Sequence, residues 1–168
     1  MQGVPDAAAL ADKLAIQEQI YNYCRSVDRL DVPLGHGVFH EDSYADFPTY
    51  KGTGQGWIDD VCKEHLNFLH HSHQVTNVII DLQGPDRAGS EAYVIANLRQ
   101  QQGDKVINRM FSARYIDKWS KRNGRWAIDR RDCLVDFSEE SEVKAIGNDP
   151  RSARDHNDPS YGVLEALA

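Results

Sequence analysis

The apolar positions of this chain change period once. Up to about residue 69 they recur every three or four positions, and beyond it every second position. Residues 6 to 30 predict a helix, because Ile16, Ile20, Tyr23, Cys24 and Val27 form one stripe of a 3.6-residue period. A short helical piece follows over 32 to 39. "DSYADFPTYKG" reads as a short strand and a turn, punctuated by Pro48 and Gly52. "GWIDDVCKEHLNFLHH" predicts another helix, with Trp57, Ile58, Val61, Cys62, His65, Leu66 and Leu69 on one face.

Four strands are then expected, over 72–83, 89–101, 105–120 and 124–136. Their linkers "GPDRAG", "QGD" and "KRNGR" carry Gly or Asn where a hairpin needs positive φ. Helices first and long antiparallel strands after predict an α+β fold, with a curved sheet wrapped over the helices. The polar stretch from 139 on is set apart as a tail or arm (139–168) of a single domain covering 1–138. Its last apolar residues are candidates for docking on a neighbouring subunit.

Composition narrows the function. The 168 residues are 40% apolar and 27% charged, with a net charge of −7. The basic residues alternate with acids, so no phosphate-binding patch forms and nucleic acid is not an expected partner. No run approaches the ~18 apolar residues of a membrane span. "MQGVPDAAALADKL" lacks the basic and apolar regions of a signal peptide. Cys24, Cys62 and Cys133 are odd in number and widely spaced, which favours reduced thiols and a cytoplasmic location.

Three residues sit where their chemistry is uncomfortable. Asp28 continues the apolar stripe of the first helix, four residues after Cys24. It either faces water at the helix end or holds a partner across a cavity. His73 opens the first long strand, sharing a face with Val75, Asn77 and Ile79 in regular alternation. It is either a structural hydrogen-bonder or a general base, which would need an acceptor on its other ring nitrogen. "HHSH" also raises a metal, but neither His-Glu-x-x-His nor a cysteine pair is present, so no metal is expected. His70 and His71 are then left to finish the preceding helix near its negative end. In "WAIDRRDCLVDF" one of Arg130 and Arg131 is expected to face inward and stabilise a developing anion. Tyr23, Tyr44, Phe47, Met110, Phe111 and Tyr115 would line a cavity for a flat, apolar compound.

The order "YCRSVDRLD", "DFPTYKG", helix, "HSHQVTNVIID" and "NGRWAIDRRDCLVDF" resembles the SnoaL-like branch of the nuclear transport factor 2-like superfamily. It is most similar to the cofactor-free lyases there, such as scytalone dehydratase, hexachlorocyclohexane dehydrochlorinase and bile acid 7α-dehydratase. The resemblance spans residues 8 to 137. It implies a cone-shaped α+β barrel in which a curved sheet is closed by helices over a deep apolar pocket. It implies a dyad of Asp28 and His73, with Tyr23 and Arg131 completing the catalytic set. Tyr44 matches a ring position on the early strand. Asn108 and Ser112 stand where water-holding groups would be, and Phe47, Met110 and Tyr115 join the substrate wall. The expected activity is a cofactor-independent dehydration of a hydrophobic alicyclic, steroid-like or polyketide-like hydroxy compound by β-elimination. An isomerase or cyclase with the same base, or a non-catalytic binding or structural subunit, are the alternatives. A homotrimer is favoured over a dimer.

Overall fold

A computed structural model describes residues 6–144 and 147–164. Helix α1 spans Ala7–Arg29, α2 Val32–Val38 and α3 Gly54–His65. Strands β1 (Phe39–Phe47) and β2 (Tyr50–Gly52) lie between α2 and α3. Strands β3 (His70–Leu82), β4 (Arg87–Gln102), β5 (Lys105–Arg122) and β6 (Arg125–Val143) follow. They form one six-stranded sheet in the order β2-β1-β6-β5-β4-β3. All pairs are antiparallel except β1 with β6, which run parallel. The sheet curves without closing on itself, and the helices fill its concave side.

Local chemistry explains the helix boundaries. The Asp6 carboxylate accepts the Ala9 N–H at 2.8 Å and starts α1. Leu30 ends it in the left-handed conformation (φ 55°), its N–H turned back to the carbonyls of Ser26 and Val27. Asp31 then caps α2 by accepting from Leu34 N at 3.0 Å. Thr53 caps α3. At Gly54 a side chain would collide with the Phe39 ring, so only glycine lets α3 sit this close to β1. The stripe expected on α1 is the buried one: Ile16, Ile20, Tyr23, Cys24 and Val27 are all in the core.

Three expectations need correction. The helix read through His71 stops at His65; Leu66 is 64% exposed, and Leu69 N already hydrogen-bonds Arg99 O of β4 at 2.7 Å. His70 and His71 therefore belong to β3, not to a helix end. The second concerns phase. Register shifts fall between Val75 and Val78 on β3, and beside Asp129 on β6. Each inserts a residue and reverses the alternation. Val78 and Ile80, rather than Asn77 and Ile79, follow Val75 inward, and Ile128 shares the inner face with Arg131. The third is β6 itself, which continues past residue 136 to Val143, paired with Val106.

The stretch 147–164 returns to the helices of its own chain. The turn Pro159–Gly162 buries Tyr161, whose hydroxyl donates to Asp31 Oδ2 at 2.8 Å. The Arg25 guanidinium lies 4.8 Å from the Tyr161 ring centre. Arg154 donates to the carbonyl of His65 at 2.8 Å. Of the apolar end considered for subunit docking, Val163 and Leu164 are exposed, and residues 165–168 lie outside the described residues. Among the described residues no helix is long and apolar enough to cross a membrane.

Candidate active site

β3 is an edge strand, and α1 lies along it. That placement gives Asp28 its partner. Its Oδ2 accepts the backbone N–H of His73 at 2.9 Å, and its Oδ1 lies 2.7 Å from His73 Nδ1. One carboxylate thus covers an unpaired strand N–H and holds the ring. A carboxylate only accepts, so Nδ1 carries a proton, and in the neutral ring the lone pair is on Nε2. Both side chains are mostly buried, at 16% and 9% exposure. Neighbouring His71 uses Nε2 to donate to Val27 O at 2.8 Å, pinning α1 to β3 a second time.

His73 lines a cavity of about 200 Å³ between α3 and the concave sheet. Phe47, Trp57, Val94, Ala96, Phe111 and Ala113 make most of its wall apolar. Phe47 stacks on Trp57 at 3.8 Å. Two tyrosines line this space. Tyr23 accepts the Trp57 Nε1 hydrogen at 2.9 Å, which leaves its own O–H to donate. The Tyr115 hydroxyl has no hydrogen-bond partner among the described residues. Burial pushes both phenols well above their ordinary pKa, so they remain proton donors. Cys133 also lines the cavity, but burial pushes its thiol up to about 12, too high for a nucleophile. A larger groove of about 860 Å³ lies at the far end of β4 and β5. Within it Arg122 pairs with Asp42 and Asp129, and none of the groups above lines it.

Arg131 is the inward arginine and is fully buried. It does not touch the cavity. Its Nε and Nη2 grip both oxygens of Asp117, each at 2.7 Å, and its guanidinium lies 4.2 Å from the ring centres of Tyr23 and Tyr115. Burial works against its charge, yet the Asp117 carboxylate more than compensates and raises its pKa. Arg130 points outward, to Asp132 and over the Tyr44 ring at 5.0 Å.

Several residues expected in the substrate wall lie elsewhere. Tyr44 is on the outer face of β1 and 38% exposed. Met110 and Asn108 lie on the outer face of β5, where Asn108 donates to Asn97 at 3.2 Å. Ser112 shares that face. The strand runs regularly here, so Phe111, Ala113 and Tyr115 take the inward positions instead. In the other direction, the sequence places His65 only on a core stripe. It is the last residue of α3 and lines the cavity, its ring 6.0 Å from that of His73 and nearly parallel, and 4.5 Å from that of His71. Burial, then His71, His73 and Arg154, lower its pKa to about 3. Three histidine rings gather here, yet among the described residues no three such groups are arranged to hold a metal ion. Asp28 and Val27 already engage one nitrogen each of His73 and His71.

This geometry meets its relatives in sequence. A profile of the SnoaL-like domain matches residues 8–132. The chain belongs to the SnoaL-like domain family. Several solved structures share its fold. A candidate scytalone dehydratase from Novosphingobium aromaticivorans DSM 12444 is 22% identical, with 84% of this chain and 97% of that one covered and a TM-score of 0.71. A hexachlorocyclohexane dehydrochlorinase from Novosphingobium barchaimii LL02 is 17% identical, with 87% and 99% covered and a TM-score of 0.72. A candidate aromatic ring hydroxylase from Novosphingobium aromaticivorans is 24% identical, with 84% and 96% covered and a TM-score of 0.68. No curated protein matches this SnoaL-like chain.

Proposed function

We propose that this SnoaL-like protein is a lyase that eliminates water from a small cyclic β-hydroxy ketone without a cofactor. The observation that carries the reading is the Asp28–His73 pair at the wall of an apolar cavity. With Nδ1 held by Asp28, His73 Nε2 accepts a proton from the carbon next to the carbonyl. The C–H electron pair moves into an enolate, whose oxygen takes hydrogen bonds from the Tyr23 and Tyr115 hydroxyls. The enolate then collapses to the enone, the β-hydroxyl leaves with the proton returned by the imidazolium, and water is released. The fold neighbours include a candidate dehydratase and a dehydrochlorinase, both names for eliminations, which is in keeping with this reading.

In this reading Arg131 acts at a distance. It keeps Tyr23 and Tyr115 oriented through its contacts with their rings, rather than touching substrate. A cavity of about 200 Å³ is below the ~300–1,000 Å³ usual for drug-sized ligands. One or two rings suit it better than a steroid skeleton. The reading further supposes a reduced, cytoplasmic setting and a homotrimer. A solution mass of one or two chains would count against the trimer.

The test is turnover of a panel of cyclic β-hydroxy ketones by the wild type, His73→Ala and Asp28→Asn, with and without chelator. Activity that resists chelator and disappears in both variants supports the dyad. Loss with chelator alone would implicate a metal. No turnover, with tight binding that both variants keep, would make the protein a binder.

A further inference from the structure

One imidazole at the cavity makes no hydrogen bond to any described residue. His65 is 5% exposed, and its Nδ1 is buried without a hydrogen-bond partner. Among the described residues its ring makes no hydrogen bond; only its backbone carbonyl is engaged, by Arg154. Its ring neighbours are Phe68, edge-on at 5.3 Å, and the rings of His71 and His73. A leucine would fill such a place at no polar cost, whereas an unpartnered imidazole there is unfavourable. Its surroundings keep it neutral, so it has one N–H and one lone pair, neither engaged. His73 differs in having one nitrogen committed to Asp28. The two imidazoles therefore offer the cavity different chemistry: one a base, the other a neutral donor and acceptor.

We propose that His65 is a second polar anchor, which hydrogen-bonds a substrate oxygen that is neither the enolate oxygen nor the leaving hydroxyl. The substrate class is then a one- or two-ring ketone carrying a further hydroxyl or keto group. This deepens the elimination reading and rests on it for the reaction, but not for the binding. An apolar ring lies along Phe47, Ala96 and Phe111, while its distal oxygen reaches His65. A site built to satisfy a distal oxygen discriminates against compounds that lack it, because the imidazole is then left unpaired.

The experiment uses the full chain with His73→Ala, which removes the base and so isolates binding. Dissociation constants are measured for 1-tetralone and for its 5-, 6- and 7-hydroxy derivatives, with the ring nitrogens followed by ¹⁵N NMR. At least one hydroxytetralone should bind about tenfold tighter than 1-tetralone and move the His65 ring signals. Adding His65→Leu should erase the preference, while His65→Gln, which keeps a donor and an acceptor, should retain most of it. A thermal melt of each variant separates lost contacts from lost folding. Equal affinity for parent and hydroxy compounds, no binding of any of the four, or a preference that survives His65→Leu would overturn the proposal. A His65-dependent preference in a protein that dehydrates nothing would remove the lyase reading and leave the anchor standing.

Discussion

Asp28–His73 and Asp117–Arg131 are both acid–base pairs on the concave side of one sheet, and they are built to opposite ends. In the first, the carboxylate engages one ring nitrogen and leaves the other to the cavity. In the second, both carboxylate oxygens are taken up by one guanidinium, and both side chains are sealed from solvent. The first keeps a reactive atom available; the second uses its charges to hold two tyrosine rings. A ring nitrogen left free at the apolar cavity separates the first pair from the second, whose polar atoms are spent on each other.

The sharpest way to break the comparison is to disable each pair in turn. His73→Ala and Asp28→Asn should lower turnover about 10²–10⁴-fold, the range of a lost general base. Steady-state kinetics beside thermal melts check that the fold stays intact. Asp117→Ala should instead destabilise the protein by about 3–5 kcal/mol, because it strands a buried guanidinium. Denaturant unfolding checks this, and the double change Asp117→Leu with Arg131→Met should cost less than the single one. If Asp117→Ala unfolds no more readily than Asp28→Asn, the division between the two pairs is wrong.

The histidines sharpen it further through pH. The folded pKa of His65, about 3, lies below its unfolded value, so the unfolded chain binds more protons between these limits. Stability should therefore fall as the pH drops from about 6.5 toward 3, by up to about 1.4 kcal/mol per pH unit for this one group. His71 shifts in the same direction and adds to the effect. Unfolding curves at stepped pH should be flatter for His65→Phe than for the wild type. The smallest effect concerns the returning C-terminal stretch. Tyr161→Phe removes one hydrogen bond to Asp31 and should cost about 1 kcal/mol, measurable by denaturant titration, with dyad chemistry unchanged.

Much of this was legible in the sequence. The switch of period located the helices and strands, and the unexpected carboxylate on the α1 stripe pointed to Asp28. His73 followed from its place at the start of a strand. The faces of single residues were harder. Met110 and Tyr115 are an odd number of positions apart, so a regular strand cannot turn both inward, and only Tyr115 is. The bulges on β3 and beside Asp129 reverse phase through backbone geometry that no apolar pattern records. His65 was hidden by its own helix: a periodic stripe shows that a residue is buried, not whether it borders packed atoms or an opening.

The parallel pairing of β1 with β6 governs when the cavity can come into existence during synthesis. Phe47 and Trp57 emerge from the ribosome well before Cys133 and Val135, which line the same cavity from β6, the strand beside β1. Until β6 is made, β1 has only the three-residue β2 beside it, and the apolar stripe of α1 has no complete sheet to receive it. Pairing so distant along the chain closes slowly, because the intervening loop must be ordered before the contacts reward it. The cavity wall therefore stays incomplete until β6 has been made and has paired with β1.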